Sequence, residues 1–223
     1  YEISRGDWSS DVCSSDLPYN QQPLKLGADV VVHSSTKYLG GHSDLISGAV
    51  IVKDDNQLSE KIKYLQNAIG SVPSPFDCYM LIRSIKTLAV RMERHNSNAM
   101  IISEFLNNHK KIRKVRYPGL KSDDNHNIAS KQMKGYGGII SVELETNLKG
   151  TLKFLENIDI FTLAESLGGV ESLIEHPAIM THASIEKNIR EDLGISDSLV
   201  RLSIGIEDPE DLKVALDKAL DLI

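Results

Sequence analysis

Cysteine is scarce. Only Cys13 and Cys78 carry a thiol, and they form neither a CxxC pair nor a disulfide framework. Cys78 therefore reads as a small core residue. Long apolar runs are missing too: nothing approaches the roughly 20 residues of a membrane-spanning helix, and no charged-then-apolar signal segment opens the chain. The expected location is the cytoplasm, with no membrane partner. There is no basic stripe either. A net charge of −6, with both signs interspersed, argues against a nucleic-acid surface. Self-similarity over roughly 20 to 50 residues is absent, which excludes a repeat architecture. What the composition does supply is 41% hydrophobic residues over 223 positions, enough for a real core in one large domain or one and a half ordinary ones.

The most informative stretch is 28–52, ADVVVHSSTKYLGGHSDLISGAVIV. Its apolar runs at 30–32 and 46–52 read as strands buried on both faces. Between them lie Ser34, Ser35, Thr36 and Lys37, then Gly40 and Gly41. A lysine so placed must reach solvent over the glycines or be kept inside for a purpose, because an unpaired buried ammonium is costly. Kept inside, it is neutral and nucleophilic. Ser34 and Thr36 would point the same way from an extended segment and could grip one anion, with Lys37 one step out of phase. An amine beside a small anion site is what an aldehyde cofactor carrying a phosphate requires. From these residues alone the competing reading stays open: a surface lysine at a strand end, with serines in the turn.

The rest of the chain alternates helices and strands. Gly27 is a C-cap before the first strand, and Leu58, Ile62, Leu65 and Ile69 recur at helical spacing up to Gly70. A helical pattern of about 30 residues over 76–108 would span about 45 Å. A domain boundary is expected along it, near 85–95. Strands are expected at 112–117, 138–145, 161–163 and 199–206, and helices at 125–133 and 149–157. Asp208 as N-cap, Pro209 at the first position and an acidic first turn announce a last helix. Gly41 to Leu45 is not a nucleophile elbow, because Leu45 stands where the second glycine belongs. His33, His42 and Asp44, or Glu175, His176 and His182, lack metal-site spacing, so no metal is expected. The Gly-Gly pairs at Gly40, Gly137 and Gly168 are too short for a dinucleotide fingerprint. Arg201 lies on an apolar strand, where a charge needs a partner. A structural salt bridge and a carboxylate-binding fork are both open.

SSTKYLGGHSD resembles the lysine segment of the pyridoxal-phosphate enzymes of the cystathionine γ-synthase, γ-lyase and β-lyase family. The likeness continues through RSIKTLAVRMERHNSNA, VRYPGL, LAESLGGVESLIEHPAIMTHA and LVRLSIGIEDPEDL, from about residue 18 to the end. It implies an α/β chain: the C-terminal part of a fold-type I pyridoxal-phosphate-dependent transferase. The cofactor-binding domain would end at 18–90, and a smaller α+β domain would follow at 91–223.

The same resemblance assigns residues. Lys37 would carry the cofactor and, once released, shuttle protons, while Ser34 and Thr36 would meet the phosphate. Arg201, with Ser166, would hold the substrate's α-carboxylate, and Thr181 would stand behind them. Glu165 beside Ser166 tilts the expected chemistry toward the substrate's γ-carbon, in cystathionine or an O-acylhomoserine. A β-lyase, a methionine γ-lyase or a non-catalytic fragment remains the alternative. The parent enzyme would be a homotetramer with sites shared between subunits. Residues 1–17, rich in Ser and Asp and without periodicity, do not fit and read as foreign sequence. The ring-nitrogen aspartate, the stacking tyrosine and the phosphate-binding glycine loop of the family are absent, so this chain alone is expected to be inactive.

Overall fold

The computed structural model describes residues 17–223. The segment read as foreign thus falls outside the described residues, apart from Leu17, which is buried beside Tyr38, Met92 and Leu167. A 3₁₀ turn, Pro23–Leu26, ends on Gly27 at φ 109° and leads into β1 (Val30–Ser34). β1 pairs antiparallel with β2 (Gly48–Val52) to form a two-stranded sheet. The expected burial on both faces is not found: Val32 is 59% exposed and Val50 52%. A two-stranded ribbon has no neighbouring strands, and a cavity separates the β2 residues Val50 and Val52 from Ile62, Leu65 and Ile69 of the helix that follows.

Helices α1 (Gln57–Ile69) and α2 (Pro75–Ile85) follow. Asn56 starts α1 with a reciprocal capping box to Ser59, and Gly70 ends it in the left-handed conformation. The apolar stripe of α1 is real in period but open in environment, with Leu58, Leu65 and Ile69 exposed. Cys78, expected in the core, is half-buried on α2. The single long helix is also not found. It breaks at Lys86 and Thr87, and α3 (Leu88–Asn107) resumes the run. The break has a chemical cause: the Ser84 carbonyl is taken by the Thr87 amide and hydroxyl and by the Arg91 guanidinium, each at 3.1 Å.

The second sheet is five-stranded, in the order β3-β4-β7-β6-β5. Its strands are β3 (Ile112–Arg116), β4 (Ile139–Leu144), β5 (Thr162–Leu163), β6 (Leu173–Glu175) and β7 (Leu199–Ser203). All its pairings are antiparallel except β5 with β6. Between these strands lie α4 (His126–Gln132), α5 (Leu148–Glu156) and α6 (Lys187–Asp192), and α7 (Pro209–Leu220) closes the chain. The strict alternation of β4 puts Ile140, Val142 and Leu144 inward, where they meet Ala99, Ile102 and Leu106 of α3 and Leu212, Leu216 and Leu220 of α7. This is the main core. Among the described residues no helix is long and apolar enough to cross a membrane.

Candidate active site

Lys37 sits in a π-helical turn, Ser35–Leu39, rather than on an extended segment, with φ −84° and ψ −133°. The expected parallel display of Ser34 and Thr36 is therefore not found. Thr36 Oγ1 accepts from the Ser47 amide at 3.0 Å and donates back to the Ser47 carbonyl at 3.4 Å, so it closes the turn against β2. The half-buried Ser34 hydroxyl has no hydrogen-bond partner among the described residues.

The next residue locks the turn in place. Tyr38 is buried, and its hydroxyl accepts from the Gly138 amide at 3.0 Å. Its ring meets His95 edge-on at 5.1 Å, and its carbonyl accepts from Arg91 Nη1 at 2.7 Å. Arg91 is itself buried, which lowers its pKa from the ordinary arginine range. Burial likewise pushes His95 down to about 4, so this imidazole is neutral and donates from Nδ1 to the Ile204 carbonyl at 2.7 Å.

Opposite the turn lies the loop between β5 and β6. Gly168 has φ +77°, and a Cβ there would stand 2.9 Å from the Tyr38 amide nitrogen, so only glycine permits this approach. The Val170 amide donates to the Gly41 carbonyl at 2.9 Å. Two of the glycine pairs set aside as dinucleotide motifs, at Gly40 and Gly168, are thus where two loops touch. Through this contact Lys37 Nζ donates to Ser166 Oγ at 3.3 Å, across 129 residues of sequence.

Arg201, on β7, reaches the same loop. Its Nη2 donates to the carbonyls of Glu165 at 2.7 Å and Ser166 at 3.2 Å. It also forms an ion pair with buried Glu175, its register partner on β6, a contact of charges rather than an aligned hydrogen bond. The Thr181 hydroxyl donates to the other oxygen of Glu175. Arg201 Nε is buried with no hydrogen-bond partner.

Lys37, Ser166, Arg201 and Thr181 are therefore linked in one chain of contacts. Glu165 joins it through its backbone, with an exposed side chain, and Ser34 and Thr36 flank the lysine. Sequence reasoning missed Arg91 and gave Glu175 no part in this cluster. A buried charge in the motif RSIKTLAVR was the available signal for the first. Among the described residues no cluster of His, Cys, Asp or Glu could hold a metal ion.

Residues 13–221 match the family described as Cys/Met metabolism PLP-dependent enzyme. The chain belongs to that family. Similar members are a cystathionine beta-lyase of Coxiella burnetii, 58% identical over 91% of this chain and 52% of its own length, and a cystathionine gamma-lyase of Dictyostelium discoideum, 54% identical over 92% and 52%. A crystal structure of cystathionine gamma synthase from Xanthomonas oryzae pv. oryzae, in complex with aminoacrylate and cysteine, matches with a TM-score of 0.88. It is 46% identical, with coverage of 92% of this chain and 53% of that one. The expected α/β fold is thereby shown. The chain spans about half the length of the curated relatives it matches.

The residues present suit the lysine end of pyridoxal phosphate. They offer a primary amine for its aldehyde and, beside it, a half-buried hydroxyl at Ser34.

Proposed function

We propose that this chain is part of a pyridoxal-phosphate-dependent trans-sulfuration enzyme acting at the γ-carbon of cystathionine or an O-acylhomoserine. The observation that carries the reading is the 3.3 Å contact from Lys37 Nζ to Ser166 Oγ, in a loop whose carbonyls are held by Arg201. Lys37 would hold the cofactor through its aldehyde, and the Ser34 hydroxyl would meet its phosphate, while Thr36, engaged with Ser47, would support the turn that carries both. Arg201 grips the substrate's α-carboxylate while Ser166 orients both that group and the lysine amine. Glu165 faces the substrate's ammonium, and Thr181 supports the site from behind. The cofactor, when bound, supplies the electron sink for charge developing at the substrate's Cα. As a free amine, Lys37 Nζ would take and return protons at the substrate's adjacent carbons.

The names of the relatives favour a second reading, β-lyase chemistry, since a beta-lyase stands at 58% identity. The exposed apolar faces of β1, β2, α1 and α2 favour a third, a chain that does not turn over by itself. A parent enzyme in the cytoplasm, assembled as a homotetramer with sites shared between subunits, completes the proposal.

Mixing the purified chain with pyridoxal phosphate tests it. Visible absorbance of the lysine-bound cofactor should appear and be lost in Lys37→Ala, with little or no turnover of cystathionine. Retention of the signal in Lys37→Ala would sink the assignment, and robust turnover would refute the inactive-chain reading. For an active parent enzyme, products from cystathionine alone, compared with O-acylhomoserine plus cysteine, separate lyase from synthase.

A further inference from the structure

Glu175 is the most enclosed carboxylate at this site, 1% exposed in its side chain and paired across β6 and β7 with Arg201. Two groups hold it: the Arg201 guanidinium and the Thr181 hydroxyl. That hydroxyl in turn lies 2.8 Å from His182 Nδ1. On the arginine side, Nη2 also serves the carbonyls of Glu165 and Ser166, and Ser166 is the residue that receives the Lys37 amine. Taking two charges out of water is unfavourable, and an aliphatic pair of like volume would pack the two strands as well or better. Packing alone therefore does not account for the pair.

Two carbonyl acceptors on Nη2, with the Glu175 carboxylate paired to it by charge, hold the planar guanidinium against turning. They also leave Nε, buried and without an acceptor, outside the clamp. We propose that Glu175 is a positioning residue. Backed by Thr181, it clamps Nη2 of Arg201 so that the remaining guanidinium hydrogens stand ready for an amino-acid carboxylate. The inference rests on the proposed anchoring role of Arg201. The rival account has Glu175 compete with the incoming carboxylate for the same guanidinium, and the two differ in sign.

The test uses the full, isotope-labelled chain with L-alanine as the probe. The Arg201 Nε–H resonance is assigned by its loss in Arg201→Lys. Glu175→Gln keeps the side-chain shape and can still accept from Thr181, but removes the charge. L-Alanine affinity should fall roughly tenfold, the loss expected when a charged group loses one orienting contact. Exchange of the Nε–H proton with water should quicken at the same time. Should Glu175→Gln fold poorly, Thr181→Val leaves the ion pair in place and should give a smaller loss in the same direction. Unchanged or tighter binding in the folded variants overturns the positioning role. If L-alanine fails to bind the unaltered chain, or binds Arg201→Lys equally well, the anchoring reading itself falls and takes this proposal with it. The two failures are thereby told apart.

Discussion

The two sheets treat their aliphatic side chains differently. In β4 and β7 the inward residues Ile140, Val142, Val200 and Leu202 are sealed between strands and helices, while in β1 and β2 Val32 and Val50 on one face and Ile51 on the other are left exposed. Neighbouring helices follow suit: α7 buries Leu212, Leu216 and Leu220, whereas α2 exposes Phe76, Tyr79 and Ile82. Apolar periodicity therefore reports which face of an element is meant to be covered. It does not report whether the cover lies within the same stretch of chain.

The sharpest test of the contrast is one truncation on each side. Leu202→Ala should lower unfolding free energy by about 2–5 kcal/mol in denaturant titration, and Ile82→Ala by no more than about 0.5 kcal/mol. An equal loss at Ile82 would mean that the α2 face is covered in solution.

Acid should act next, at the seam between the two regions. His95 is folded as the neutral imidazole with a pKa lowered from 6.5 to about 4, so the unfolded chain binds the extra proton between those values. Stability should be whole above about pH 6.5 and should decline on acidification toward pH 4, by roughly 3 kcal/mol. His95→Asn, which retains a donor toward the Ile204 carbonyl, should flatten this part of the stability–pH curve. An unaltered slope in that variant would show that other groups set it.

Gly168→Ala should cost at least about 1 kcal/mol, since alanine is strained at φ +77° and its Cβ would press on the Tyr38 amide. Cofactor absorbance dependent on Lys37 should weaken with it; an unchanged spectrum and midpoint would show that the loop contact is dispensable. The smallest change expected is at Asn56→Ala, which removes the N-cap of α1. It should cost about 1 kcal/mol or less and appear as faster amide exchange confined to that helix.

Much of the second region was legible in the sequence. Asp208 and Pro209 start α7 as expected, and β3, β4 and β7 fall within the expected stretches, because alternation and caps are local signals. What local signals omit is tertiary. The three residues of β6 are too few to show a period, and α6 carries only Ile189 and buried Arg190 where a stripe would be sought. The break at Lys86 and Thr87 depends on Arg91 reaching back to a carbonyl, which no helix propensity encodes. The same holds at the site. The motif around Lys37 named the chemistry, but its turn geometry and its link to Ser166 and Glu175 arise only where separate loops meet.

Arg91 joins two parts of the first region. One guanidinium bonds the Ser84 carbonyl at the end of α2 and the Tyr38 carbonyl beside Lys37, so these two backbones are stitched to a single rigid plane. The end of α2 and the lysine's turn thus share one hydrogen-bonding group. Arg91→Ala would therefore remove an anchor from both backbones at once.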